Sequence, residues 1–267
     1  MIIDCHTHLG SPSSILPGRA VDLIKSMDRA HIDKALVFAG RLNGISTQEV
    51  LEETKPFRDR LKVVASMSPS ITYDGVSQFD PSLARELANH RDVVAMKFYP
   101  GYEHWYPSDN GMELALYIPL TSLAEAGKPA IFHSGDTFSK AGGAKLKYAM
   151  PIHLDDVAVN FPKLKIVIAH MGFPWVKEAA EVCYKNKNVY ADVSGFVYDV
   201  FTPQDEKNFQ DNVHEFLKIA GSEPKLLFGS DWPISNQTSY VQTCLNLFGG
   251  TMKESFLHGL AEELFNV

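Results

Sequence analysis

Two histidines stand close together near the start of the chain, in the segment Ile2-Ile3-Asp4-Cys5-His6-Thr7-His8-Leu9-Gly10. Side chains of a strand alternate between its two faces, so His6 and His8 are predicted to point the same way, and Gly10 is predicted to end the strand. Two imidazoles on one face of a strand end can bind one metal ion. Taken alone, the motif is equally compatible with ordinary polar residues at the start of a domain.

Three later segments also lead into a residue that can bind a metal or move a proton. Their apolar runs end near His133, His170 and Asp231, within the segments Pro129–Gly135, Lys165–Gly172 and Lys225–Pro233. Each of these residues is predicted to lie at the C-terminal end of its strand. Since the C-terminal ends of parallel strands meet at one face, these side chains and the two N-terminal histidines are expected to converge.

Strand-like and helix-like segments alternate along the whole chain. The remaining strands are predicted at 34–40, 63–67, 93–99 and 189–193, and Ser46 with Glu49 predicts a capping box at the start of one intervening helix. Eight such units predict an α/β fold, a single (β/α)8 barrel that occupies residues 1–267 as one domain. An open, doubly wound sheet is the alternative, but it would not explain ligands on the first, fifth, sixth and eighth strands.

The combination of the His-x-His motif, the two strand-ending histidines and the run Gly229-Ser230-Asp231-Trp232-Pro233 resembles the amidohydrolase superfamily. It is most similar to the amidohydrolase-2 branch, which contains aminocarboxymuconate-semialdehyde decarboxylase, related aromatic-acid decarboxylases and lactone hydrolases. The resemblance extends from His6 to the terminal helix. It departs from the family pattern at Leu260, where relatives often have asparagine, which affects how the last helix is tied to the barrel.

The resemblance implies a TIM barrel with one divalent metal, most simply zinc, bound by His6, His8, His133 and Asp231, with His170 outside this ligand set. The leading function is metal-dependent hydrolysis of a small carbonyl substrate, a lactone or an amide. In it, Asp231 acts as general base and then acid, and His170 hydrogen-bonds the oxygen that becomes negative. The alternative is non-oxidative decarboxylation of an unsaturated or aromatic acid. A barrel that binds metal or ligand without turnover is less favoured.

Two cationic side chains are predicted to contact substrate. Lys97 occupies an inward-facing position of the fourth strand, where a buried lysine needs a carboxylate of the fold, a carbamate between two metals, or an anionic substrate. We expect the substrate or a neighbouring residue to be its partner. Arg41, beyond the second strand, could bind a substrate carboxylate, although loop arginines are more often solvated. Asp4 is expected on the same face as His6 and His8, where it pairs with Lys97, orients a ligand or serves as a buried structural carboxylate.

Composition narrows the classes of partner. The net charge of −7 and the absence of a lysine or arginine run argue against nucleic acid as a partner. No apolar stretch is long enough to span a bilayer, and the three cysteines are widely spaced, so the sequence predicts a cytoplasmic protein without membrane contact or a disulfide framework. A small-molecule substrate is the expected partner, and the sequence is compatible with a homo-oligomer.

Overall fold

The computed structural model describes residues 1–10, 18–40, 44–71, 77–137, 142–221 and 225–267. Eight parallel strands form one sheet in sequence order. They are β1 Ile3–His8, β2 Lys34–Phe38, β3 Leu61–Ser66, β4 Val93–Phe98, β5 Ala130–Phe132, β6 Ile166–Ile168, β7 Val189–Asp192 and β8 Leu226–Leu227. This arrangement confirms the predicted (β/α)8 barrel and excludes the doubly wound order.

Helices separate the strands and cover the outside of the barrel. The longer ones are Ala20–Ala30, Thr47–Thr54, Pro81–Asn89, Asn110–Glu125, His153–Asn160, Val176–Lys185, Pro203–Ala220 and Gln237–Leu245. Shorter ones are Pro100–Glu103, Lys55–Phe57, Leu146–Tyr148, Ala169–Gly172, Gly250–Glu254, Ser255–Gly259 and Leu260–Phe265, and Ser70–Ile71 pairs with Ser77–Gln78 as a small antiparallel ribbon. Among the described helices, none combines the length and apolar character needed to cross a bilayer.

Backbone hydrogen bonds nearly close the barrel between its first and last strands. The Cys5 amide donates to the Phe228 carbonyl at 2.9 Å, and the His8 amide donates to the Trp232 carbonyl at 2.7 Å. In the other direction, the Asp231 amide donates to the His6 carbonyl at 2.7 Å. The segment that follows β8 therefore runs beside β1 and brings Asp231 next to the two N-terminal histidines.

The interior of the barrel is apolar at one end. Each strand contributes to the inner cluster: Ile3, Leu36, Val64, Ala95, Ile131, Val167 and Leu227 are buried in it, with Tyr190 packed against it. Leu260, Leu264 and Phe265 of the last helix belong to the same cluster. Lys165, just before β6, donates a hydrogen bond to the Glu263 carbonyl, which places this helix across the N-terminal ends of the strands. Leu260 thus ties the helix to the barrel by apolar packing.

A β-bulge interrupts the alternation of β1. Asp4 is paired with Ala35 and Thr7 with Val37, so β1 contains one more residue than β2 over this stretch. Ala35 belongs to the layer between barrel and helices, whereas His8 is paired with Phe38 of the inner cluster. Asp4 consequently faces the helices, and the prediction that it shares a face with His6 and His8 is wrong.

Candidate metal centre at the C-terminal end of the barrel

Four histidines, from β1 and from the segments that follow β5 and β6, lie in contact at the C-terminal end of the strands. The ring centroids of His6 and His8 are 5.2 Å apart, those of His6 and His170 are 4.8 Å apart, and those of His133 and His170 are 5.1 Å apart. The His6 ring also stacks on Phe38 at 4.2 Å, which fixes its orientation. The structure therefore brings together the histidines that the strand-end pattern singled out.

Three potential ligand atoms converge beside β1. Asp231 Oδ1 lies 2.9 Å from His8 Nε2 and 3.8 Å from His6 Nε2. All three residues are buried, and within the described residues His6 Nε2 has no hydrogen-bond partner, whereas Asp231 Oδ1 is within hydrogen-bond distance of His8 Nε2. Leaving buried polar atoms unsatisfied is costly, so this set calls for a bound group. Two imidazole nitrogens and a carboxylate oxygen suit a divalent transition metal.

The protonation states of the ligand residues agree with metal binding. Burial, together with the nearby charge of Lys97, lowers the pKa of His6 to about 3, so the ring is neutral at physiological pH. Burial alone would raise the pKa of Asp231, but the hydrogen bond and charge of His8 outweigh it and hold the pKa below its usual range. Neutral imidazole and ionised carboxylate are the forms that coordinate metals.

Asp231 and His170 are not on strands, although they follow strands. β8 ends at Leu227 and β6 at Ile168, and Asp231 and His170 adopt left-handed backbone, with φ of 67° and 61°. Such conformations are uncommon for residues other than glycine and often mark functional sites. The turn at Asp231 is secured by Asp4, which accepts hydrogen bonds from the Ser230 amide at 2.9 Å and the Ser230 hydroxyl at 2.6 Å.

Asp192 is a site residue that the sequence argument missed. It is the last residue of β7, is buried, and accepts a hydrogen bond at Oδ2 from His6 Nδ1 at 2.9 Å. Contacts with His6, His170 and Lys97 outweigh the effect of burial and hold its pKa well below the usual range. The signal was present in the sequence, since Asp192 ends an apolar run in the same way as the predicted ligands. A carboxylate behind a metal-binding histidine fixes its tautomer.

His170 is held by the segment that follows β7. Its Nδ1 lies 3.2 Å from the Ser194 carbonyl oxygen and 2.9 Å from Ser194 Oγ, and its backbone amide donates to Asp192 Oδ1 at 3.1 Å. A carbonyl only accepts, so Nδ1 carries the proton and the neutral ring has its lone pair on Nε2. Burial lowers the pKa of His170 and favours this neutral form. The predicted hydrogen bond from His170 to an oxyanion therefore requires the ring to gain a proton first.

Gly195 is required where His170 and Asp231 approach each other. Its φ is 69°, and a Cβ atom there would lie 2.8 Å from His170 Nδ1 and 2.9 Å from Asp231 Oδ2. Both distances are shorter than real Cβ contacts. Only glycine leaves room for the two functional side chains to sit on either side of this backbone.

His133 lies in the pocket but outside the three converging atoms. Its ring packs edge-to-face on Tyr102 at 4.8 Å, and its Nε2 lies 3.0 Å from the Asp136 carbonyl oxygen. A bond to a carbonyl requires the proton on Nε2, which leaves the lone pair of the neutral ring on Nδ1. Burial, followed by the influence of His170, lowers the pKa of His133 well below its usual value. His133 is thus available as a ligand only through Nδ1.

Lys97 points into the barrel, because it is paired with Ile131 of the inner cluster. It is fully buried, and within the described residues its Nζ has no hydrogen-bond partner. The ammonium group lies 5.2 Å from the centroid of the Phe38 ring and 5.5 Å from that of Tyr99. Burial lowers the pKa of Lys97 to about 8, against the opposing effect of Asp192 and Asp231. Arg41, the other predicted substrate contact, lies outside the described residues.

The barrel and its polar end define the class of protein as a TIM barrel with a candidate site for a divalent metal. A family model described as Amidohydrolase matches residues 3–267, so the chain belongs to the amidohydrolase family and is an enzyme of that family. The resemblance inferred from the motifs is thereby confirmed. No curated protein matches the sequence.

Solved structures with the same fold cover the whole chain. An uncharacterised TIM-barrel protein from Bordetella bronchiseptica is 21% identical, with a TM-score of 0.75 and coverage of 99% of this chain and 98% of that one. A probable 2-pyrone-4,6-dicarboxylic acid hydrolase from Acinetobacter baumannii, with citric acid bound, is 17% identical, with a TM-score of 0.68 and coverage of 100% and 99%. A 5-carboxyvanillate decarboxylase from Novosphingobium aromaticivorans, with bound manganese, is 13% identical, with a TM-score of 0.71 and coverage of 100% and 97%.

Proposed function

We propose that this enzyme hydrolyses a small carbonyl compound, a lactone or an amide, with the help of one divalent metal. The observation that carries the proposal is the convergence of His6, His8 and Asp231, in which the buried Nε2 of His6 has no hydrogen-bond partner among the described residues. A neutral His170 lies directly beside this set, its ring centroid 4.8 Å from that of His6. Ligands that leave coordination positions open, next to an acid-base residue, are typical of catalytic rather than structural metal sites.

We propose zinc as the metal, with manganese as the alternative because the similar decarboxylase contains it. His6, His8 and Asp231 would hold the ion, and His133 is proposed as a fourth ligand through Nδ1. When bound, the metal supplies a water of lowered pKa and polarises a substrate oxygen. A carbamylated Lys97 bridging two metals is the competing arrangement.

Asp231 and His170 are proposed as the residues that move protons. Asp231 is an ionised carboxylate whose second oxygen, Oδ2, is directed toward the Gly195 backbone and the neighbouring His170. It takes a proton from the attacking water and returns it to the leaving group. Neutral His170 has its lone pair on Nε2; once this nitrogen has taken up a proton from solvent, it donates a hydrogen bond to the oxygen that becomes negative and keeps the proton when that charge is lost.

Lys97 is proposed to bind a carboxylate of the substrate, and Arg41 is retained as a second candidate for that role. A buried ammonium group without a partner among the described residues destabilises the protein unless an anion joins it. This observation also supports the second candidate function, decarboxylation of an unsaturated or aromatic acid. Tyr99 and Tyr102 pack near His133, and their flat rings suit a planar substrate beside the Lys97 charge.

The test combines metal analysis with a substrate screen on purified protein. The metal is removed with a chelator, zinc or manganese is added back, and lactones, amides and carboxylic acids are screened for both acid release and carbon dioxide. We expect one metal per chain and acid release that depends on it. Carbon dioxide as the product would replace hydrolysis by decarboxylation, and two metals per chain with a modified Lys97 would replace the mononuclear site. Exchange of the exposed His214 to Gln provides a control that keeps the metal.

The remaining proposals concern the organisation of the protein. We propose a single domain over residues 1–267, a cytoplasmic location, and function as a small-molecule enzyme in a monomer or homo-oligomer. The continuous barrel sheet supports the single domain, since β1 and the segment after β8 depend on each other for closure. Limited proteolysis and size-exclusion chromatography with light scattering test the domain and the assembly.

A further inference from the structure

Asp192 contacts both His6, which lies on β1, and His170, which follows β6. Its Oδ2 faces His6 Nδ1 at 2.9 Å. Its Oδ1 accepts the backbone amides of His170 at 3.1 Å and Ser194 at 3.0 Å, and also the Ser194 hydroxyl. The Ser194 oxygen in turn lies 2.9 Å from His170 Nδ1. One buried carboxylate is therefore connected to two imidazoles, directly to His6 and through a hydroxyl to His170.

The direction of each hydrogen bond follows from what its atoms can donate. Asp192 Oδ1 accepts two backbone amides and a hydroxyl, so the group acts as a carboxylate, which only accepts. His6 Nδ1 must therefore carry the proton of its hydrogen bond to Oδ2. The hydroxyl of Ser194 gives its single hydrogen to Asp192, so its oxygen accepts from His170 Nδ1. The Ser194 carbonyl, 3.2 Å from the same nitrogen, imposes the same requirement. Both rings then carry their proton on Nδ1 and their lone pair on Nε2.

We propose that Asp192 and Ser194 are positioning residues that set the tautomers of His6 and His170 together. Asp192 makes His6 Nε2 a ligand atom, and the relay through Ser194 makes His170 Nε2 an acceptor facing the same pocket. The consequence for turnover rests on the proposed function, whereas the tautomers themselves do not. Loss of Asp192 is expected to disturb both histidines, but loss of the Ser194 hydroxyl is expected to disturb His170 alone.

The experiment measures the protonated nitrogen of each ring by ¹⁵N NMR on histidine-labelled protein, both metal-free and zinc-loaded. Signals are assigned from their loss in His6→Gln and His170→Gln. We expect Nδ1 to be protonated in both residues of the unsubstituted protein. In Asp192→Asn, the amide oxygen keeps the backbone hydrogen bonds, and the NH2 group faces His6 Nδ1. Because this NH2 group only donates, His6 Nδ1 must accept, and the proton of the His6 ring is expected on Nε2. Zinc affinity, measured by competition with a chelating dye, should fall about 10–100-fold.

The Ser194→Ala variant separates the two arms of the network. We expect the His6 tautomer and the zinc affinity to stay unchanged, while the His170 signals broaden or shift because one of two acceptors is lost. Ser122→Ala removes another buried hydroxyl, from an outer helix, and should change neither histidine. A proton on Nε2 of His170 in the unsubstituted protein would overturn the proposal. So would unchanged zinc affinity and an unchanged His6 tautomer in Asp192→Asn. If Asp192→Asn fails to fold, the tautomers of the unsubstituted protein and of Ser194→Ala still decide the question.

A negative substrate screen leaves this inference intact, because the tautomers and the zinc affinity do not depend on turnover. Conversely, an active hydrolase with the opposite tautomers would retain the proposed function and refute the inference. The two proposals therefore fail by different observations.

Discussion

The two ends of the barrel use the same eight strands for opposite purposes. At the N-terminal end, Leu260, Leu264 and Phe265 fill the interior with apolar side chains. At the C-terminal end, the interior holds charged and polar groups, including a lysine and two aspartates that are almost fully buried. Burial of apolar groups stabilises a fold, whereas burial of charged groups lowers its stability unless each group is paired. The apolar end of the barrel therefore stabilises the fold, whereas the polar end carries the groups that could perform chemistry.

Asp231→Asn, at the polar end, is expected to have the largest effect, which is a loss of turnover. The asparagine can still contribute an oxygen to the metal, but it cannot accept a proton, so kcat should fall about 10²–10⁴-fold with little change in fold. Metal content and kcat are measured on the same sample. His170→Asn is the companion variant, with reduced turnover and unchanged metal content. Near-normal activity in Asp231→Asn would remove its role as base, and loss of metal in His170→Asn would make that residue a ligand.

Phe265→Ala tests the apolar end. Removal of this buried ring from the inner cluster should lower the free energy of unfolding by about 3–5 kcal/mol, measured by urea denaturation. The metal content and kcat of the folded protein should not change. Leu114→Ala, at a residue that is 78% exposed, provides a control with an effect of less than about 0.5 kcal/mol. Loss of metal in Phe265→Ala would show that the two ends are coupled.

Lys97→Met should act on stability and on substrate affinity in opposite directions. Replacement of the unpaired ammonium by an apolar chain of similar length should leave the metal-free protein equally stable or raise its stability by about 1–4 kcal/mol. KM for an anionic substrate should rise about 10–100-fold, since a charged hydrogen bond is lost. Thermal unfolding and steady-state kinetics provide the two measurements, and the exposed Lys25→Met serves as control. A loss of stability instead would indicate that Lys97 has a partner in the folded protein.

Ser46→Ala is expected to have the smallest effect and to be confined to stability. Ser46 Oγ accepts from the Glu49 amide at 3.3 Å, and Glu49 accepts from the Ser46 amide at 2.8 Å, so the predicted capping box is present. Its loss should cost about 0.5–2 kcal/mol in urea denaturation and leave metal content unchanged. A decrease in metal content would show that the helix start contributes to the polar end.

The sequence was sufficient for the architecture because apolar runs and helical spacing recur eight times. It also located His133, His170 and Asp231 near strand ends, since each follows an apolar run. It did not predict that β6 and β8 would stop two and four residues earlier, because the left-handed backbone at His170 and Asp231 depends on tertiary contacts. Asp192 carried the same signal but was overlooked, since a single aspartate after a strand has many structural explanations.

The bulge in β1 reconciles two demands on one short strand. Ile3 and Cys5 face the apolar interior at odd positions, whereas His6 and His8 face the pocket at even positions. A strictly pleated strand could satisfy only one of these sets. The additional residue changes which face of the strand the later side chains occupy. Removal of one residue between Asp4 and Thr7 would therefore do more than shorten the strand. With one residue fewer, the strand could direct either its apolar side chains into the core or both histidines into the pocket, but not both.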